Sequence, residues 1–493
     1  MSTNVQITPV ALGEPDPAEL GRLTPTIEQL LPAVEEFWRY RDRDDAARAR
    51  PNWRARAGSE LPETGGGIDA VVRDLTEVII PNGSRIGEPG WTGFITTGPT
   101  TSAVAAWLAS ATAGGQRYMV HAFNHLERVA LDWMAQLCGI PAAHQGVLSS
   151  GGSTANLVAL GAARQWAFEQ RGVDVSEHGF PAGVLGRVYA SEQAHHTIQR
   201  STGVLGMGRA GTRHVACDTQ GHIDVAALRE ALAEDQRNGV VPVAVVGIAG
   251  TTDTGAIDPL DDLAEIAHEH TTWFHVDGAY GLIAAASEHL RPAFAAVQHA
   301  DSVIVDPHKW LATGVGCAAT YVRDAPLLLR AFAQGEAAYL EGAFSSDEPD
   351  AQVQFDAIGA PYMDMGVELS APSRGVLVWA VLRELGRAGV AARVERHVGF
   401  AQHVAQRARE HPRLELLLDP ELSVTCFRYA ADDAVNSEIL LRLRRTTRSI
   451  PTSTTVDGQL AIRPCFITPR TRLEDVDALV DQVIAIGDEL TAG

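Results

Sequence analysis

Apolar positions along the chain fall into successive rhythms, and the changes between them divide it. Near the start, Ile27, Leu30, Leu31, Val34, Phe37 and Trp38 recur at helical spacing. Thr24-Pro25 supplies a cap and a first-turn proline, and Pro32 splits the run into two shorter helices. This helical arm spans residues 1–90, and its apolar faces need a surface, on the main body or on a second subunit. From about residue 95 short β-branched runs alternate with helical stretches. Val188–Ala190, Val240–Ile248, Trp273–Val276 and Ser302–Val305 read as strands, with Val225–Leu232 and Leu260–His268 as helices among them. Strands apolar on both faces predict a mostly parallel sheet covered by helices, an α/β domain over residues 91–375. From residue 376 the pattern changes again, to a helix over Val376–Leu385 and then strands over Leu422–Tyr429 and Thr452–Ile467. Asp457-Gly458 marks a hairpin turn, and a last helix opens at Thr471 with a capping box to Glu474. Residues 376–493 are therefore expected to form a smaller α+β domain. The weakly patterned stretch from Ala333 to Glu368 reads as a mobile lid.

Composition narrows the function. The 493 residues hold 40 Lys and Arg against 61 Asp and Glu, a net charge of −21. Such a chain is poorly suited to a nucleic-acid backbone or an anionic membrane. No apolar run approaches the roughly 18 residues that span a bilayer. The first twenty residues lack the basic start and apolar core of a secretory signal. The five cysteines have a nearest spacing of 39 residues and no C-x-x-C. That excludes a zinc ribbon, argues against a disulfide scaffold, and fits the reduced cytoplasm.

Five segments carry candidate chemistry. Lys309, in Asp306-Pro307-His308-Lys309-Trp310, follows the run Val303–Val305 and so stands beyond a strand end, where open α/β sheets bind ligands. A buried lysine amine there can form a Schiff base with a carbonyl cofactor. Asp277, in His275-Val276-Asp277-Gly278-Ala279-Tyr280, closes another apolar strand. A buried carboxylate needs a cation, and a protonated pyridine nitrogen is one; a helix cap or metal ligand is the plainer alternative. Ser150-Gly151-Gly152-Ser153 before a helix can cradle a phosphate, or simply form a turn and cap. His195 and Thr252 follow further strands, and each also has an ordinary structural reading. Together the five suggest pyridoxal 5′-phosphate: lysine for the aldehyde, aspartate for the ring nitrogen, the Gly/Ser turn for the phosphate.

With these motifs the chain resembles the group II pyridoxal-phosphate decarboxylases, which include aromatic-L-amino-acid, histidine and glutamate decarboxylases. The likeness is carried by Ser150-Gly151-Gly152-Ser153-x-Ala155-Asn156, Gln193-Ala194-His195, Gly250-Thr251-Thr252, His275-Val276-Asp277-x-Ala279-Tyr280 and Pro307-His308-Lys309-Trp310. The resemblance implies fold type I and a homodimer with its active site near the subunit interface. It implies decarboxylation of an L-amino acid, aromatic favoured, to the amine and CO2 through an external aldimine and quinonoid. By the same resemblance Lys309 carries the cofactor, Asp277 pairs with the ring nitrogen and His195 stacks on the ring. Ser150, Gly151, Gly152 and Ser153 hold phosphate. Thr252, Ala279, Asp306 and His308 complete the cofactor site. Asp306 stands where aromatic members often have asparagine. Pro99 and Thr100 match a substrate-side Pro-Thr segment, and Tyr362 is assigned as the lid's proton donor. The rivals are decarboxylation-dependent oxidative deamination to an aldehyde, transamination or β-elimination, a non-catalytic module, and a zinc site at His268, His270 and His275. A dinucleotide reading of Gly206-x-Gly208-x-x-Gly211 fails because a strand follows the glycines instead of preceding them.

Overall fold

The computed structural model describes residues 23–39, 53–58, 60–114, 121–333, 362–446 and 448–492. They belong to two compact units, Met1–Glu88 and Pro89–Gly493. In the first unit one helix runs Leu23–Trp38 straight through Pro32. The expected split does not occur. Pro32 is exposed, so the carbonyl it leaves without an N–H donor can turn to water. Shorter helices follow at Trp53–Ala57 and Gly67–Asp74.

The second unit holds two sheets. Its strands are β1 (Trp91–Thr92), β2 (Gln145–Ser149), β3 (Gly186–Ser191), β4 (Thr212–Val215), β5 (Val241–Ile248) and β6 (Trp273–Asp277). They continue with β7 (Ser302–Val305), β8 (Ala318–Val322), β9 (Leu414–Leu418), β10 (Cys426–Tyr429), β11 (Ile450–Val456) and β12 (Gln459–Arg463). The larger sheet has seven strands in the order β2-β8-β7-β6-β5-β3-β4. β4, β3, β5, β6 and β7 are mutually parallel, and β8 runs antiparallel to both β7 and β2. Every residue of β5, β6 and β7 is buried, as the doubly apolar runs predict. The expected mostly parallel α/β architecture is present. Its consequence for function is register. Asp277 lies beside Ile248 on one side and Ile304 on the other. The carboxyl ends of β5, β6 and β7 therefore open onto one edge.

The smaller sheet has the order β1-β11-β12-β10-β9. A helix over Gly375–Glu410 breaks at Gly386 (φ 61°, ψ 178°), directly after the predicted end at Leu385. The β11–β12 hairpin turns at Asp457 and Gly458, both at positive φ. The strands expected at Leu422–Tyr429 and Thr452–Ile467 are regular only over β10, β11 and β12, because Pro464 cannot donate to the ladder. The last helix starts at Leu473, two residues late. Arg472 takes the N-cap position and its N–H donates to Asp475 at 2.9 Å, while the Thr471 hydroxyl lies outside the helix and donates to Pro89 O at 2.8 Å. Among the described residues no helix is long and apolar enough to cross a membrane.

A charged latch ties loops of the large sheet to the segment before β10. His222 is bonded through Nδ1 to Asp218 (3.1 Å) and through Nε2 to Glu421 (2.6 Å), whose other oxygen accepts from Ile257 N. Glu421, then Asp218, pushes the imidazole from 6.5 up to about 9 against its partial burial. Asp258, facing the same cluster, is pushed by burial to about 6. A raised histidine pKa stabilises the fold fully below its ordinary value and ceases to do so above the folded one. Thermal stability is therefore expected to fall from about pH 6.5 to about pH 9. The slope should flatten in His222→Gln; an equal slope in both proteins rejects the latch.

Candidate active site

Four strand ends and one helix start build a single chamber of about 250 Å3. It is lined by Gly152, Ser153, Asn156, His195, Thr197, Ile248, Gly250, Thr252, Asp277, Ala279, Tyr280, Asp306, His308 and Lys309. This is where parallel α/β sheets place ligands. Lys309 sits in the turn after β7, closed by its own N–H to Asp306 O (3.1 Å) and by Ala312 N to its carbonyl (3.2 Å). Arg393 clamps the same turn by donating to Trp310 O and Leu311 O. The Trp310 ring stacks on Tyr280, with centroids 5.1 Å apart and planes 18° apart, joining the lysine turn to the segment after Asp277.

Asp277 is 6 % exposed at the end of β6. Its Oδ1 accepts from Ala279 N (3.2 Å) and its Oδ2 from Asn156 Nδ2 (3.0 Å). The same Asn156 amide donates to Thr197 Oγ1 (3.2 Å), which meets His195 Nδ1 at 3.0 Å. Burial, then neighbouring His196, holds the His195 imidazole below the usual histidine range, with Asp277 opposing. Thr252 is fixed by its carbonyl, which accepts from Arg463, while Arg463 Nε donates to Asp253 O at 3.0 Å. Gly250 is required at this turn. It sits at φ 105°, and a Cβ there would come within 2.8 Å of Leu422.

The cradle fits a phosphate-bearing cofactor. Gly152 opens the helix Gly152–Glu169, whose first N–H groups have no partner within the helix. A Cβ on Gly152 would stand 2.7 Å from Asp306 Oδ2, so only glycine leaves room. Asp306 faces Lys309 Nζ at 3.4 Å, and its Oδ1 is buried with no hydrogen-bond partner among the described residues. Burial pushes its carboxyl above the usual range, against the pull of Lys309 and His308. A protonated Asp306 can donate to a phosphate oxygen.

Lys309, Asp277, His195, Thr252, Gly152, Ser153, Ala279, Asp306 and His308 thus line one chamber. Ser150 and Gly151 precede it without lining it, and the Ser150 hydroxyl is bonded to Thr154 Oγ1 (2.9 Å). Pro99 and Thr100 also stand outside. Thr100 caps the helix Thr101–Ala113 and its N–H donates to Ala312 O, so it braces the lysine turn. Tyr362 is not brought to the chamber. It is 7 % exposed in a short 3-10 helix, packed in the main hydrophobic core. Of the expected lid, residues 334–361 lie outside the described residues.

An adjoining chamber of about 560 Å3 shares His195, Thr252 and Lys309 and adds Phe94, Ile95, Asp253, Arg444, Thr452, Ser453 and Arg463. Reading the sequence alone missed this wall. One signal was available: Arg463 ends the apolar run Leu460–Ile462, just as Asp277 ends its own.

The family model for the pyridoxal-dependent decarboxylase conserved domain matches residues 51–430. The aromatic-L-amino-acid decarboxylase of Bacillus atrophaeus is 27% identical over 394 residues, 78% of this chain and 76% of that protein. An acidic amino acid decarboxylase of Xenopus tropicalis is 28% identical over 361 residues, 70% and 68% of the two chains. The crystal structure of Oryza sativa TDC with PLP and tryptamine shares the fold at a TM-score of 0.86 and 24% identity, covering 97% of this chain and 100% of that one. With the matched domain spanning most of its length, the chain belongs to the pyridoxal-dependent decarboxylase family, and its cofactor is pyridoxal 5′-phosphate.

Proposed function

We propose that the protein removes the α-carboxylate of an L-amino acid, aromatic by preference, to give the amine and CO2. The observation that carries this reading is the convergence of Lys309, Asp277 and His195 on one small chamber beside a larger one. When bound, pyridoxal 5′-phosphate supplies an aldehyde that captures amines and a ring that takes up the electron pair left by the departing carboxylate. Lys309 Nζ would hold the aldehyde carbon of the bound cofactor until a substrate amine replaced it. Asp277 would pair with the ring nitrogen, Gly152 and Ser153 would hold the phosphate, and His195 would stand against the ring. Lys309 and His195 line both chambers, so either can carry the proton that replaces CO2 at Cα. Arg463 fixes a positive charge beside the larger chamber and suits the substrate carboxylate.

Phe94 and Ile95 offer an apolar wall and support the aromatic preference. Phe94 is held at φ 57°, a backbone state that a bulky residue adopts only where its surroundings enforce it. Arg444, Thr452 and Ser453 favour, as a second reading, an acidic side chain. The exposure of Phe94, 61 % in a chamber wall, supports a second copy of the chain closing the site, hence a homodimer. The five free thiols support a cytoplasmic enzyme. Tyr362, lodged in the core, lends no support to a lid proton donor.

The test is to incubate the holoenzyme with a panel of L-amino acids and quantify CO2, amine, aldehyde and peroxide together. Amine equal to CO2 is expected, with aromatic substrates giving the highest kcat/KM. Aldehyde and peroxide equal to CO2 would overturn the reading in favour of oxidative deamination.

A further inference from the structure

Behind Asp277 lies a buried row of polar groups that the proposed chemistry does not use. Trp273 Nε1 lies 2.8 Å from Ser302 Oγ, and Ser302 Oγ 2.8 Å from His275 Nδ1. His275 Nε2 lies 2.9 Å from Asn156 Oδ1, and Asn156 Nδ2 3.0 Å from Asp277 Oδ2. Ser302 and His275 are 0 % exposed, Asn156 1 % and Trp273 2 %.

Donor and acceptor chemistry fixes the direction of every bond. A carboxylate only accepts, so Asn156 Nδ2 donates to Asp277 and turns its Oδ1 toward His275 Nε2, which must carry the hydrogen; Ser302 accepts from the indole N–H of Trp273, and its own hydrogen serves His275 Nδ1. With Nδ1 accepting, a neutral imidazole carries its hydrogen on Nε2. That N–H donates to Asn156 Oδ1, which leaves the amide N–H to donate to Asp277. A charged His275 would need acceptors at both nitrogens and would strand the Ser302 hydrogen, and burial holds its pKa down at about 4. All four bonds therefore point the same way, and they end on the carboxylate. Bonds aligned in series polarise one another, most of all away from water. The second Asn156 N–H goes to Thr197 Oγ1, whose contact with His195 Nδ1 brings the ring-face histidine under the same amide.

We propose that Asn156 is a positioning residue. Through it, Trp273, Ser302 and His275 deliver a one-way row of hydrogen bonds that holds the Asp277 carboxylate aimed at the ring nitrogen of the cofactor. The proposal rests on the reading of Asp277 as the ring-nitrogen partner. His275 closes none of the chamber wall, and both of its ring nitrogens are committed to this row.

The experiment uses holoenzyme loaded with cofactor labelled with 15N at the ring nitrogen, and follows its NMR shift against pH. In the wild type the nitrogen is expected to be protonated at neutral pH; an unprotonated nitrogen there would sink the reading of Asp277 itself. Asn156→Leu removes one hydrogen bond to a charged group, and should lower the ring-nitrogen pKa by about one unit, with kcat falling roughly tenfold and KM little changed. Ser302→Ala removes the hydrogen held at His275 Nδ1 while leaving Asn156 and Asp277 in place, so it should shift the titration in the same direction by less. A wild-type titration in Ser302→Ala overturns the proposal, whatever Asn156→Leu does. Independently of the cofactor, 15N-histidine spectra should show His275 protonated at Nε2; protonation at Nδ1 overturns it too.

Discussion

Lys309→Ala is expected to lose both the covalent cofactor and turnover. The amine stands in a fixed turn, braced by Arg393 and by the Thr100–Ala312 bond, and faces the chamber of about 250 Å3. An amine held at the reacting carbon acts as if at very high concentration. Effective molarities of about 10^5 M and above mean that its removal costs roughly 10^4-fold or more in kcat. The visible absorbance of the lysine-bound cofactor should vanish, and borohydride should no longer fix a pyridoxyl group to the peptide around residue 309. Noncovalent binding should survive in weakened form, because Gly152, Ser153 and Asp277 are untouched. Added methylamine should restore a small part of the activity by substituting for the missing side chain. Alanine also strips buried Asp306 of its nearest cation, so the variant should be less stable at alkaline than at acid pH. A pyridoxyl tag that persists on another lysine would show that the tether has been misplaced.

Why this residue was legible in the sequence, and others were not, follows from the architecture. In a parallel α/β sheet, consecutive strands point the same way, so whatever follows an apolar run arrives at one edge. Asp277 at the end of β6, Lys309 after β7 and Thr252 after β5 needed no knowledge of packing, only of where the runs end. Gly152 was legible because a Gly/Ser turn followed by a helix is itself local. The outer wall was not. Phe94 precedes the first long helix of its unit, and Arg444, Thr452, Ser453 and Arg463 come from the far end of the chain. Their meeting depends on how the smaller sheet packs on the larger, which no periodicity encodes.

Tyr362 shows the converse limit. Its place as a lid residue rests on the family resemblance alone, within a stretch lacking pattern. Met363 and Met365 beside it are apolar and buried, and they draw the tyrosine into the core with them. Thr471 shows the same limit at smaller scale. Its spacing to Glu474 matches a capping box, yet the helix is capped one residue later, at Arg472 with Asp475. Asn156 lies between these cases. It stood within the phosphate motif, but its bonds to Asp277, Thr197 and His275 span 121, 41 and 119 residues and exist only in the fold.

Asp277→Asn is expected to cost almost as much as loss of the lysine, by a different route. The substitution keeps shape and leaves an oxygen to accept from Ala279 N. It removes the one formal negative charge at the end of β6, and its amide hydrogens meet the Asn156 N–H groups donor to donor. Breaking a buried ion pair by removing one member costs about 3–5 kcal/mol. Expressed at the step where the ring must hold a negative electron pair, that is about two to four orders of magnitude in kcat. The larger chamber is unaltered, so KM for the substrate should change by less than about threefold. Unlike Lys309→Ala, this variant should still be tagged at residue 309 by borohydride, because the tether is intact. It should release cofactor faster on dialysis, and an added cofactor analogue with a permanently charged, N-methylated ring should recover activity, since it no longer depends on the carboxylate to stay positive. If Asp277→Asn retains more than about a tenth of wild-type kcat, the ring nitrogen does not need this carboxylate, and the charge must be held elsewhere.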